Sequence, residues 1–443
     1  MRLISTNGEA PPATFREALL RGLAPDGGLY LPDTLEPLPL ETIESWRALP
    51  LAGVASRVLQ HLVGDEFPGD DLERLVSDAF SFPAPAVPVE DERFVLELFH
   101  GPTLAFKDFG ARFLARVFGY LLEQRGDHAT ILVATSGDTG SAVAQGFFGV
   151  PQVRVVVLYP GGKVSPFQEA QMATLGGNVS AVRVPGTFDD CQRLVKRAFR
   201  DDRLAPLHLS SANSINVGRL LPQSVYYVAS WLQVAEQGGE VVFSVPSGNL
   251  GNITAGVIAQ RIGLPVARFV AASNVNDVLP EYLRTGLYRA RPSVATLSNA
   301  MDVGDPSNFA RLLRLHGGSY DAALQNVVGV VVTEDQTRAT IREVYGRTGY
   351  LLDPHSAVGY AAVDQVVHAE RQGVILPLPR VPRIVLSTAH PAKFSAVIEE
   401  ELGFVPALPP TYRDWADQPL LVHDLPDTDY DTFCNWLAGF DNR

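Results

Sequence analysis

Short, nearly continuous apolar runs recur along this chain and alternate with segments of helical period. The runs are Ile131–Ala134, Val153–Tyr159, Val241–Val245, Ala267–Ala272, Val328–Thr333 and Ile384–Ser387. Helical segments follow several of them, one around Ala142–Phe148 and another ending near Ile262. Thr333 and Gln336 have the spacing of a capping box ahead of TRATIREVYG. Short apolar strands separated by helices predict open, mostly parallel sheets covered on both faces, an α/β fold. The first 90 residues hold helical stretches, for example at Thr14–Leu23 and Asp71–Ala79. Prolines 83, 85 and 88 exclude a regular helix across Ser81–Glu92, which reads as a linker. The expected division is an N-terminal extension over 1–90 packing on the large domain, a smaller α/β domain over 91–225 and a larger one over 226–443.

Composition narrows the function classes. At 443 residues the chain exceeds one ordinary core, and 46% apolar with 19% charged residues describes a packed globular protein. A net charge of −13 with no basic stripe argues against general nucleic-acid binding. Cys191 and Cys434 form neither a disulfide framework nor a metal-ligand pair, so no metal is expected. No signal pattern opens the chain, and no apolar run approaches the roughly 20 residues that span a bilayer. A soluble, cytoplasmic protein that meets no membrane is the expectation.

Lysine is scarce, with four residues (107, 163, 196 and 393) against 32 arginines. Arginine stays protonated, whereas a desolvated lysine can lose its proton and attack a carbonyl. Lys107 lies in HGPTLAFKD, at the start of a helical pattern with Phe109, Phe113, Leu114, Val117 and Leu121 on one face. The positive end of the helix, with Phe106 and Phe109 nearby, would favour its neutral amine. In open sheets ligands sit beyond the carboxyl ends of strands, which singles out the turns there. Gly248-Asn249-Leu250-Gly251-Asn252, after Ser247, either reverses the chain or presents N–H groups to an anion. Thr135-Ser136-Gly137-Asp138-Thr139 either caps a helix or holds a carboxylate or hydroxyl. Ser214, Asn216 and Arg219 together suit a second anion. In STAHPAKF, Thr388 could hydrogen-bond a pyridine nitrogen, and His390 and Lys393 read as structural before catalytic.

HGPTLAFKD, ATSGDTGSA, NSIN with Arg219, VPSGNLGN, SNAMDVGDPSNF, LDPHSAVG and STAHPAKF occur in the order found in threonine synthases. Together with the N-terminal FREALLRGLAPDGGLYLP, the segments resemble that family over residues 1 to 400. The resemblance implies the fold of tryptophan-synthase-β-like, fold-type-II enzymes and pyridoxal 5'-phosphate as cofactor. It implies that Lys107 forms the Schiff base and serves as the catalytic base. Gly248, Asn249, Leu250, Gly251 and Asn252 would bind the cofactor phosphate, and Thr388 the pyridine nitrogen. Asp138 would stand beside the ring hydroxyl, where many relatives of this fold carry asparagine. Ser136, Thr139, Ser214, Asn216 and Arg219 would hold a small-molecule substrate, O-phospho-L-homoserine, whose conversion with water gives L-threonine and phosphate in threonine biosynthesis. A phospho-lyase relative, releasing 2-oxobutyrate, ammonia and phosphate from the same substrate, is the alternative. Dehydration of serine or threonine would leave the second anion site without a use, and a non-catalytic sensor would have no use for Lys107. The resemblance leaves the oligomeric state open between monomer and homodimer, and leaves Trp415, Trp436 and the last 40 residues without a role.

Overall fold

The structure is a computed structural model that describes residues 1–135, 137–371, 379–410, 412 and 418–439. The N-terminal segment forms a three-stranded antiparallel sheet from β1 (Arg2–Ser5), β2 (Ala13–Thr14) and β3 (Tyr30–Pro32), ordered β2-β1-β3. Helix Phe15–Arg21 starts from a capping box in which Thr14 and Glu17 satisfy each other's backbone N–H. Helices Leu51–Val63 and Asp71–Ala79 then pack against helices Ser224–Val234 and Lys107–Arg125 respectively. The extension thus leans on helices of both later parts of the chain.

The two main sheets are not laid down one after the other. β4 (Ala86–Glu90), β5 (Arg93–Glu97), β6 (Ala129–Ala134), β7 (Val153–Pro160), β8 (Val179–Val184), β9 (Leu209–Ser210), β10 (Val241–Pro246), β11 (Val266–Ser273), β12 (Val327–Val331), β13 (Arg383–Ser387) and β14 (Val422–Asp424) follow in chain order. The larger sheet runs β12-β11-β10-β13-β5-β4, parallel apart from the antiparallel β4–β5 pair. The smaller runs β14-β8-β7-β6-β9 and is parallel throughout. Two expected boundaries therefore shift. The segment Ser81–Glu92, read as a linker, carries β4, an edge strand that tolerates Pro88 because its outer side needs no donor. Residues 93–97 belong to the large sheet, and 422–424 return to the small one, so both sheets are sewn from distant parts of the chain.

The apolar runs fill the sheets as their composition requires: β6, β7 and β10 are buried along nearly their whole length. Helix Pro354–Arg371 covers β10, β11 and β13. Phe109, Phe113, Leu114, Val117 and Leu121 of helix Lys107–Arg125 are all buried, as the period-3.6 pattern predicts. No described helix is long and apolar enough to cross a membrane.

Candidate active site

Lys107 stands where the chain leaves the large sheet for the small one. After β5 the backbone turns through Leu104, which takes a left-handed φ of 56°, and enters helix Lys107–Arg125. That turn is stitched to the end of β13: Phe106 N–H donates to the Thr388 carbonyl (2.9 Å), and His390 N–H to the Leu104 carbonyl (3.0 Å). Lys107 and Thr388, far apart in sequence, are thereby held at one point. No side chain caps the helix; Asp108 instead folds back to accept from Thr103 N–H (2.8 Å) and Oγ1 (2.7 Å).

Charged groups from three other elements surround Lys107. Burial pushes its amine down to about 8; Asp138 opposes that shift, while Lys393 and Arg219 reinforce it. The aromatic contribution expected from Phe109 is absent, because its ring lies in the core against Phe80, Phe82 and Tyr226. Residues two apart on a helix do not face each other. Asp138 opens helix Asp138–Phe147 beyond β6. Its Oδ1 accepts from Lys393 Nζ at 2.6 Å and Gln168 Nε2 at 3.0 Å. Burial alone would raise the Asp138 carboxyl, yet the ammonium groups of Lys393 and Lys107 hold it far below its ordinary range. Thr135 fixes the preceding turn by accepting from the N–H groups of Gly137 and Gly140. Gly137, at φ 142°, takes a conformation that strains residues with a side chain, and a Cβ there would also displace the Gln168 amide, 2.5 Å away. Thr139 lies half-buried in the first turn of that helix, and Ser136 falls outside the described residues.

The turn after β10 has the form of an anion cradle. Leu250 takes a left-handed φ of 62°, strain uncommon in a residue with a side chain, and leads into helix Gly251–Arg261. A Cβ on Gly248 would approach Met301 Cα to 2.7 Å, so the segment 298–302 forms the cradle's wall. Asn249 ties the loop to its neighbours, giving Nδ2–H to Ser214 Oγ (2.6 Å) and accepting from Ser307 N–H (2.6 Å). Asn252 accepts from both Tyr226 and Tyr227 hydroxyls at 2.7 Å, while its own Nδ2 is buried with no partner among the described residues.

The expected second anion site divides. Arg219 is buried, donates Nη1–H to the Ala212 carbonyl (2.7 Å), and has an Nε without a partner among the described residues. Burial lowers its guanidinium to about 10, with Asp108 opposing. Ser214 is half-buried beside Asn249. Asn216, by contrast, is fully buried and turned inward: it caps helix Val217–Leu220 through Gly218 N–H and donates to the Leu19 carbonyl (2.8 Å). Its place in the fold is to set the segment that carries Arg219.

Several groups at the site carry no signal in isolated motifs. Arg311, buried with no carboxylate partner among the described residues, donates to the carbonyls of Tyr30, Ser214 and Ile215 and binds the N-terminal segment to the segment that precedes Arg219. Asp353 accepts from His355 Nδ1–H (2.7 Å), and His355 Nε2 accepts from Ala300 N–H (3.1 Å). This chain of bonds braces the wall facing Gly248. Asp302 accepts from Thr296, Asn274 and Asn276 and braces the same loop. LDPHSAVG and SNAMDVGDPSNF mark these residues only as parts of a family pattern.

Comparison with known proteins gives the family. The family model described as pyridoxal-phosphate dependent enzyme matches residues 85–376. Those of the threonine synthase N terminus and C-terminal region match 2–80 and 356–434. Threonine synthase of Escherichia coli K12 is 43% identical over 428 residues, covering 96% of this chain and 97% of that protein. The crystal structure of a pyridoxal-phosphate-bound threonine synthase from Brucella melitensis superposes with a TM-score of 0.93 at 39% identity, over 99% of each chain. That of the yeast enzyme gives 0.90 at 32%, over 98% of each. Relatives this similar over nearly their whole length, together with a glycine cradle and a half-buried lysine at the junction of the sheets, place the chain in the threonine synthase family of pyridoxal-phosphate-dependent enzymes.

Proposed function

We propose that this protein converts O-phospho-L-homoserine and water to L-threonine and phosphate with pyridoxal 5'-phosphate. The observation that carries the reading is Lys107, whose amine is lowered by burial within reach of the charges of Asp138, Lys393 and Arg219, the last with a buried Nε that has no partner among the described residues. The residues fit the cofactor. Gly248 and the orphaned Asn252 Nδ2 suit its phosphate at a helix N-terminus, with Asn249, Leu250 and Gly251 completing the turn. Lys107 would hold it covalently, and Asp138 and Thr388 would flank its ring. Bound there, it would supply an electron sink for carbanion character in the substrate.

The chain's own residues supply position and proton transfer. Arg219 would receive the substrate phosphate, since guanidinium pairs with phosphate through two N–H groups, with Ser214 and Thr139 as hydroxyl partners. Lys107 Nζ would take the proton from substrate Cα, give it up, and then take one from Cβ, because an amine titrating near 8 exchanges protons readily near neutral pH. Phosphate would leave from Cγ, the two protons taken would return to Cγ and Cα, and water would add its hydroxyl at Cβ, its other proton ending on the released phosphate. Closure of the two sheets around substrate would exclude stray water until that step.

The test is one reaction of loaded protein with O-phospho-L-homoserine, assayed together for phosphate, threonine and 2-oxobutyrate. Phosphate matched by threonine is expected. Phosphate matched by 2-oxobutyrate would assign the phospho-lyase reaction to the same site. Lys107→Ala should remove turnover while the protein stays folded, and Arg219→Ala should raise the substrate concentration for half-saturation by about 10-fold or more, the worth of one charge-assisted hydrogen bond.

A further inference from the structure

The third basic group at the site is Lys393. It lies in the turn Pro391–Phe394 just beyond β13, a strand of the large sheet, and reaches Asp138, which follows β6 of the small one. Its side chain is wholly buried and that of Asp138 nearly so, with 2.6 Å between Nζ and Oδ1. The turn is held rigid: His390 Nδ1 accepts from Ala392 N–H (3.1 Å), and Lys393 Nζ donates a second bond to the Thr103 carbonyl (2.9 Å). Gln171 donates to the same carbonyl (3.0 Å), and Gln168 holds Asp138 from the same helix.

A buried ion pair is poorly explained by stability alone, because desolvating two charges costs about as much as their attraction returns. Its place suggests another use. Asp138 unpaired would hold a proton on the amine of Lys107; Lys393 cancels that charge. We propose that Lys393 is a positioning residue for the reaction: bridging the two sheets, it neutralises Asp138 and so leaves Lys107 free to exchange its proton. The inference rests on the reading of Lys107 given above. The charged groups facing Lys107 are Asp138 from the helix after β6, Lys393 from the turn after β13 and Arg219 from helix Val217–Leu220. Lys393 itself also faces Asp108 and His390.

The test is acylation of Lys107 in the full-length protein stripped of cofactor, followed by mass spectrometry of its peptide across pH. In Lys393→Met the labelling midpoint should rise by about 1–3 pH units, the effect of an unopposed neighbouring carboxylate. In Asp138→Asn, which leaves the Lys393 ammonium unopposed, it should fall. The double variant Asp138→Asn/Lys393→Met should return close to the parent. A purely structural pair would lower the unfolding temperature of each single variant without moving the midpoint in opposite directions. Unmoved midpoints would overturn the proposal. If Lys393→Met does not fold, Asp138→Asn and the double variant still decide, since the proposal requires the second change to reverse the first. Pyridoxal phosphate should protect Lys107 from labelling in the parent. Absence of protection would refute the assignment of Lys107 itself, an outcome separate from an unmoved midpoint.

Discussion

Asp108 and Asp138 are both buried carboxylates influenced by Lys393, yet their titration is pushed in opposite directions. Asp138 touches the Lys393 ammonium, and that contact outweighs burial. Among the described residues Asp108 has only Thr103 as a direct hydrogen-bond partner, and burial wins, raising it to about 6 from an ordinary 3.8. The sign of the consequence follows from proton linkage. The folded state holds the Asp108 proton between about pH 4 and 6 while the unfolded chain has released it, so this group makes stability fall as pH rises through that window. The full effect is at most about 3 kcal/mol, two units at about 1.4 kcal/mol each. Denaturant unfolding at pH 4 and pH 7 should therefore show a smaller difference in Asp108→Asn after the other carboxylates are subtracted as a common background. An unchanged difference would mean that Asp108 is not the buried acid described. Lys107 stands out in the sequence because amines are scarce in this chain. The Asp138–Lys393 pair does not, because nothing local to either residue indicates a partner in the other sheet.

The strand-to-helix turn after β10 shows how a single element is built around one missing atom. Gly248 faces backbone, Met301 Cα and the Ala300 carbonyl, which cannot swing aside as a side chain would. The facing segment is pinned by His355 through Ala300 N–H, and His355 in turn by Asp353. Gly248→Ala should force this wall outward and widen the cradle. Cofactor affinity, measured by equilibrium dialysis, is expected to drop by about 10-fold or more, since one poorly placed charge-assisted contact is worth about 1.5–3 kcal/mol. Unaltered affinity would show that the phosphate is held elsewhere. Elements were read well from sequence where period or capping was strong: helix Glu334–Thr348 begins at the Thr333–Gln336 capping box, and six strands fall within a residue or two of the apolar runs. β4 is hidden by Pro88 and by prolines 83 and 85 just before it, and β9 and β14, of two and three residues, are too short to show a period.

At the scale of the molecule, the segment after residue 418 takes on a definite place. β14 joins the edge of the small sheet beside β8, and helix Tyr430–Ala438 buries Tyr430, Phe433, Cys434 and Leu437. Those side chains pack with Leu132, Val156, Leu158, Val182 and Val184. The neighbouring residues of the same strands, Ile131, Val133, Val155, Val157 and Ala181, belong to the core that includes Phe113 and Val117 of the Lys107 helix. Alternate residues of a strand point to opposite faces. The C-terminal helix therefore covers the face of the small sheet turned away from Lys107, and long-range return of the chain, invisible to any window of sequence, closes the sheet's second core. Phe433→Ala should cost about 3–5 kcal/mol of stability, the usual loss for a fully buried aromatic. Turnover per folded molecule and half-saturation by substrate should stay at the parent values, measured well below the variant's unfolding temperature. A variant of normal stability would show that this helix is not part of the core. A folded variant with altered half-saturation would show instead that the far face of the small sheet transmits its packing to the site, through β6, which leads to Asp138.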